Sequence, residues 1–143
     1  MFSQKCKYAI RTILYLASKC KDEEKKDLKK LSEALKIPTP FLGKILQELV
    51  PKKIISSVKG PNGGFYLTEQ NLQLPVIKII EAIDGLAMFE ACGLGLETCS
   101  DKHPCPIHND FKIVRDHLRN TFSNQTIQEL AKEINKKHFI LMR

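Results

Sequence analysis

The stretch DLKKLSEALKIPTPFLGKILQELVPKKIISSVKGPNGGFYL, residues 27–67, decides the fold. Asp27 can cap a helix running to about Lys36, with Leu28, Leu31 and Leu35 as its apolar stripe. Ile37-Pro38 ends that helix, because the residue before a proline avoids helical geometry. Thr39-Pro40 opens the next one, with Thr39 as N-cap and Pro40 at the first helical position, where no amide hydrogen is needed. Leu42, Ile45, Leu46 and Leu49 form its buried stripe, and Pro51 stops it. Two helices joined by so short a turn make a helix-turn-helix, a pattern also common in proteins that bind nothing. The residues that follow sharpen it. Residues 54–58 and 65–67 read as strands, and Lys59-Gly60-Pro61-Asn62-Gly63-Gly64 between them reads as a tight turn, with Asn-Gly and Gly-Gly supplying positive φ. A helix-turn-helix followed at once by a β-hairpin is a winged helix.

Docking physics assigns roles within this unit. The third helix would enter the major groove with the residues off its buried stripe, Thr39, Phe41, Gly43, Lys44 and Gln47. Lys44 and Gln47 can hydrogen-bond base edges, and Phe41 can pack on a thymine methyl; the alternative for Phe41 is packing against the first helix. Lys59, with Gly60, Pro61, Asn62 and Gly63 at the wing tip, would reach a phosphate or the minor groove. Lys5, Lys7, Lys52 and Lys53 would add affinity through counterion release.

Outward from this core, residues 3–19 read as a helix capped by Ser3, with Ile10, Ile13, Leu14 and Ala17 on its buried face. Residues 19–26 read as an exposed polar loop. Residues 74–84 read as a helix burying Val76, Ile77, Ile80 and Ile83 and ending at Gly85. A longer helix is expected over 108–122, where Phe111, Val114, Leu118 and Phe122 recur at three- and four-residue spacing. That stripe could bury against the chain's own core or against a twin subunit, and its separation from the basic unit favours the twin. A last helix covers about 126–135, with Thr126 and Glu129 placed as a capping box. The tail 136–143 mixes Phe139, Ile140 and Leu141 with basic residues and is expected to dock on the dimer. The fold class is thus mainly α with a small β-hairpin wing: a winged helix-turn-helix plus a long dimerisation helix. Residues 1–85 form the DNA-binding unit, 86–108 a ligand loop, and 109–143 the dimerisation helix and tail, as one domain with an appended element.

Charge follows the same division. Residues 1–60 hold 14 Lys/Arg against 6 Asp/Glu, and residues 61–143 hold 9 against 10, so all of the net +7 lies in the first part. A polyanion partner explains that asymmetry; a solvated lysine-rich surface is the plainer alternative. The longest apolar run, 13–17, is far short of the roughly 20 residues of a membrane span. No signal-peptide pattern opens the chain, so a cytoplasmic protein with no membrane partner is expected.

Five cysteines cannot complete a disulfide framework within one chain. Three lie in one window, with six residues between Cys92 and Cys99, five between Cys99 and Cys105, and two more before His108. Three thiolates and an imidazole suit tetrahedral zinc or an iron–sulfur cluster, and the wide, looped spacing favours the cluster over the tighter pairs usual for zinc. Three free cysteines with no metal are the remaining possibility. His103 is a rival imidazole, otherwise an exposed loop residue.

Tyr8-Ala9-Ile10-Arg11, the wing Val58-Lys59-Gly60-Pro61-Asn62-Gly63-Gly64-Phe65 and the three cysteines together resemble the Rrf-two family of bacterial winged-helix regulators over essentially the whole chain. That family includes iron–sulfur cluster regulators and nitric-oxide-sensitive repressors. The resemblance implies a homodimer in which cluster state sets DNA affinity. It implies Cys92, Cys99 and Cys105 as cluster ligands and His108 as the histidine ligand of the 2Fe–2S branch. Two departures stand out. The first cysteine interval is one residue longer than is usual in that branch. The carboxylate that the nitric-oxide branch supplies near position 8 is absent from Lys5-Cys6-Lys7-Tyr8, which disfavours its 4Fe–4S ligation while leaving a different fourth ligand open. Cys6 from a partner subunit is one such ligand, against its packing as a small apolar residue.

The resulting expectation is a homodimeric transcription regulator, binding a pseudo-palindromic operator in double-stranded DNA and sensing iron–sulfur, redox or nitric-oxide status through a cluster that aerobic handling can remove. The alternatives are a winged-helix protein with a structural zinc and an electron-transfer iron–sulfur protein. No nucleophile–base pair, phosphate loop or paired carboxylates stand at usable spacing, so no enzyme is expected.

Overall fold

The computed structural model describes residues 1–142; Arg143, the end of the expected docking tail, lies outside the described residues. The chain packs around α1 (Gln4–Lys19), which is flanked by the helices Leu28–Leu35, Thr39–Leu49, Ile77–Ile83 and Ile127–Lys137. Ser3 caps it by accepting a hydrogen bond from the Cys6 amide at 3.0 Å. Because α1 is covered on several sides, its buried set is Cys6, Ala9, Thr12, Ile13, Leu14 and Leu16. The expected Ile10 and Ala17 are only half-buried. Thr12 is satisfied by donating to the Tyr8 carbonyl at 2.8 Å.

Asp27 caps α2 (Leu28–Leu35) through the Lys30 amide at 2.8 Å, as its sequence position predicts. Lys36 ends the helix in the left-handed region, φ 53°. α3 (Thr39–Leu49) buries Leu42, Ile45, Leu46 and Leu49 completely. The expected Thr39 cap does not form. Pro38 occupies the cap position with no side-chain hydrogen bond. Thr39 Oγ1 instead donates to Ser32 Oγ at 2.8 Å, and Ser32 Oγ donates to the Ile37 carbonyl at 2.6 Å. The hydroxyl is spent on closing the turn between α2 and α3.

β1 (Ser56–Val58) and β2 (Gly64–Tyr66) pair antiparallel, with Ser57 opposite Phe65. The first strand is shorter than expected because Ile54 and Ile55 turn into the core. Positive φ falls on Gly60 (107°) and Gly64 (148°), not on Asn62 or Gly63. Gly63 is required for space: a Cβ there would lie 2.0 Å from the Val58 carbonyl oxygen. A third edge joins this sheet. Lys26, expected in a free loop, exchanges both backbone hydrogen bonds with Phe65 at 2.9 and 2.8 Å. The wing is thereby tied to the residue just before the α2 cap.

A short α4 (Glu69–Leu72), absent from the sequence expectation, is held by a capping box between Thr68 and Asn71. α5 (Ile77–Ile83) begins later than expected because residues 74–76 are drawn into a bridge with the segment before the last helix. There the Val76 amide donates to the Gln125 carbonyl and the Ile127 amide to the Leu74 carbonyl, at 3.0 and 2.9 Å. Gly85, φ 75°, ends α5 as expected. A 3-10 turn over Ala87–Phe89 leads into the cysteine loop. α6 (His108–Ser123) and α7 (Ile127–Lys137) close the chain, α7 with the expected capping box of Thr126 and Glu129.

Ile127 and Ile134 of α7 enter the main core around α1, so this helix shares the core of the N-terminal unit and α6 is what stands apart. Part of the tail docks on its own chain: Leu141 and Met142 pack on the core, and Arg11 Nε donates to the Leu141 carbonyl at 2.6 Å. A second, smaller cluster joins Cys6, Ile77, Ile80 and Phe89 to Leu118 and Phe122. There Cys6, fully buried, packs as a small apolar residue, and burial, reinforced by the charge of Asp84, pushes its thiol up to about 12.

Leu46 is sealed within the main cluster. Leu46→Ala is expected to lower the unfolding free energy by about 2–5 kcal/mol, read from urea denaturation at fixed protein concentration.

Candidate metal centre and nucleic-acid interface

The cysteine loop is built against the first turns of α6. Its donors fall into two pairs. Cys92 Sγ lies 3.8 Å from Cys105 Sγ, and Cys99 Sγ lies 3.4 Å from His108 Nδ1. Among the described residues no group of three or more His, Cys, Asp or Glu side chains converges as a metal site. Cys92 is buried in a turn whose Leu94 and Leu96 amide hydrogens point at its sulfur and hold its pKa below the usual thiol value. Phe111 of α6 presses on this turn so closely that a Cβ at Gly93 would lie 2.9 Å from its ring.

α6 meets the loop with residues at i, i+4 and i+7. His108 is 4% exposed, and its Nε2 lies 2.7 Å from Asp101 Oδ1. Lys112 Nζ grips both oxygens of Asp101 at 2.8 and 2.9 Å. Together, Lys112 first and His108 second, they push the Asp101 carboxyl down to about 2. Arg115, also buried, donates through Nη1 to the carbonyls of Glu90 and Ala91 at 3.1 and 2.9 Å. A hydrogen bond to Cys99, and the nearby charge of Cys92, hold its guanidinium charged. Its Nε is buried without a partner. Asp101, Lys112 and Arg115 did not emerge from motif reading; the helical spacing of Lys112 and Arg115 from His108 was the available signal. His103 is exposed and stands outside both pairs.

The expected dimerisation stripe divides. Phe111 packs on the loop, and Leu118 and Phe122 pack within the chain, with Phe122 edge-on to Phe2 at 5.2 Å. Only Val114, 64% exposed, faces solvent, together with Ile113 at 69%. The Gly93 turn pins Phe111, and the small second cluster claims the other two.

On α3, Thr39, Phe41, Lys44 and Gln47 are exposed on one side of the helix, while Gly43 is half-buried, where a Cβ would lie 3.3 Å from the Leu28 side chain of α2. Phe41 packs against the first helix, its ring meeting Tyr8 edge-on at 6.2 Å, and its side chain stays 53% exposed. Lys5 reaches Glu48 at 2.5 Å across the same α1–α3 seam. Lys59, Gly60, Pro61 and Asn62 are exposed at the wing tip, and Gly63 is half-buried beneath it. Among the described residues no helix is long and apolar enough to cross a membrane.

Comparison with known proteins agrees with this architecture. The family model Rrf2, described as an iron-dependent transcriptional regulator, matches residues 2–133. A helix-turn-helix-type transcriptional regulator of Aquifex aeolicus (strain VF5) is 32% identical over 96% of this chain and 95% of its own length. The helix-turn-helix-type transcriptional regulator IscR of Pectobacterium atrosepticum is 26% identical over 90% of this chain and 77% of its own. Among solved structures, CymR, the global cysteine regulator of B. subtilis, superposes with a TM-score of 0.74 at 19% identity, covering 93% of this chain and 97% of its own. IscR of T. potens superposes at 0.70 and 18%, covering 98% and 92%. Those two superpositions establish the winged-helix fold, and the matched relatives are regulators rather than enzymes. From sequence, fold and family match together, the chain belongs to the Rrf2 family of DNA-binding transcriptional regulators.

Proposed function

We propose that this chain acts as a homodimeric regulator whose DNA affinity is set by an iron–sulfur cluster of the 2Fe–2S type, held by Cys92, Cys99, Cys105 and His108. The observation that carries this reading is the pairing of the donors. Two sulfurs on one tetrahedral centre, with bonds of about 2.3 Å, stand about 3.8 Å apart, and a sulfur and an imidazole nitrogen about 3.5 Å. The pairs observed here are spaced at 3.8 and 3.4 Å. Two such pairs fit a two-metal cluster with two protein ligands on each metal, whereas a single structural zinc calls for four donors around one point. The donor chemistry agrees: amide hydrogens favour the Cys92 thiolate, and the buried Arg115 charge lies against Cys99 with an unused N–H. The family description, iron-dependent, accords with the same assignment.

When bound, the cluster supplies a cross-link whose presence depends on iron supply and oxidation. Everything else falls to the chain. Arg115 ties α6 to the backbone just before Cys92, and His108, which opens α6, lies against Cys99, so the order of the loop and the lie of α6 are one variable. α6 carries Ile113 and Val114 outward, where a second copy of the chain would cover them. A change in its lie alters the separation of the two α3 helices and hence their fit to a pseudo-palindromic site. The two loop arrangements must differ in how well they hold the ligand set, since equal affinity for both would shift no population. On DNA, Lys44 and Gln47 reach base edges, Phe41 offers an apolar face, Thr39 opens the helix beside the backbone, and Lys59 meets a phosphate, with Gly60, Pro61, Asn62 and Gly63 shaping the wing around it.

Anaerobically purified protein is expected to be brown, with about two irons and two sulfides per chain; a colourless protein with stoichiometric zinc and no cluster after reconstitution overturns the assignment. Cys99→Ala should lose the cluster yet keep a folded dimer by circular dichroism and light scattering. Lys59→Ala should weaken DNA binding and make the dependence of log K on log salt shallower by about one unit, and an unchanged slope would show that Lys59 meets no phosphate.

A further inference from the structure

We propose that Asp101 is a positioning residue: anchored by Lys112, it holds His108 as the Nε2–H tautomer and so leaves Nδ1 as the nitrogen that binds metal. The proposal rests in part on the reading above, because it names which atom of that ligand set is used. Its own basis is local. Asp101 is exposed, and its ion pair with Lys112 lies at the surface, where such pairs contribute little by themselves. What sets this pair apart is its second contact. One oxygen gripped by Lys112 also faces His108 Nε2 at 2.7 Å, and His108 is 4% exposed. Nε2 therefore has the carboxylate, rather than bulk water, as its partner.

A carboxylate ion-paired to a lysine only accepts hydrogen bonds, so Nε2 must carry the hydrogen. A neutral imidazole has one N–H, which leaves the lone pair on Nδ1. That atom is the one facing Cys99 Sγ, at 3.4 Å. The arrangement is a carboxylate–histidine couple with its free nitrogen aimed at a thiol, the arrangement that elsewhere orients an imidazole towards a metal and raises its basicity. The helix adds the register: Lys112 is one turn beyond His108 on α6, so the anchor and the ligand lie on the same side of the helix and Asp101 spans them.

The substitution Asp101→Asn separates this role from a structural one. An amide can donate to Nε2, which permits the Nδ1–H tautomer, and that tautomer has no lone pair to offer. Full-length protein labelled with 15N-histidine, in its metal-free form at neutral pH, reports the tautomer directly through two-bond proton–nitrogen correlations, with the His108 signals identified by their loss in His108→Gln. The expected result is a single Nε2–H tautomer in the wild type, a mixed or Nδ1–H population in Asp101→Asn, and a return to Nε2–H in Asp101→Glu. On reconstituted protein, iron loss to a chelator should be roughly 10- to 100-fold faster for Asp101→Asn than for wild type or Asp101→Glu. An Nδ1–H tautomer in the wild type, or an Asp101→Asn variant unchanged in both tautomer and iron loss, overturns the proposal. Failure of wild-type protein to take up any cluster, with the tautomer shift still present, overturns the cluster reading and the metal-binding role of Nδ1 but leaves the positioning by Asp101 standing.

Discussion

The period of one helix governs most of what this molecule can do. At 100° per residue, α6 turns two sides to its surroundings. On one side His108, Phe111, Lys112 and Arg115 meet the cysteine loop while Leu118 and Phe122 pack inward, and Ile113 and Val114 flank the opposite side, left to solvent. No side can move alone. A rigid rod that touches the ligand loop, the hydrophobic core and the proposed twin subunit at once converts a change at any of them into a change at the others. The buried guanidinium of Arg115 tightens this further, because it holds the Glu90 and Ala91 carbonyls just before Cys92 to α6.

The reading head has a different mechanical character. α3 is fastened by four fully buried side chains, and its turn from α2 is closed by the Ser32–Thr39 hydroxyl pair. Neither depends on the cysteine loop. Under the proposed function, the signal would then act through α6 while α3 keeps supports of its own, so that signal and address stay separate.

Much of this was legible in the amino-acid sequence, for identifiable reasons. Ser3, Asp27 and Thr126 cap helices as their types and positions predict, because a cap is satisfied by atoms within a few residues. The α3 stripe was readable because one face of that helix alone is buried. On α1 the period misled, since a helix covered on several sides has no single stripe to display. Thr39 failed as a cap because a distant hydroxyl, Ser32, competed for it. Lys26 was missed because a one-residue ladder is a tertiary contact with no periodicity at all. The cysteines and His108 announced themselves by type and spacing. Asp101 did not, because a carboxylate in a polar loop becomes distinctive only once a buried imidazole is folded against it.

The backbone pair between Lys26 and Phe65 has a consequence for how such a protein chooses its site. It clamps the wing to the entry of α2, so the reach from the third helix to the wing tip is a fixed length. Under the proposed docking, a duplex whose grooves do not match that length would have to deform to meet both contacts. Discrimination then extends to base pairs the protein never touches: flexible steps between the two contacts would be favoured and stiff tracts rejected, through the energy of deforming the DNA itself.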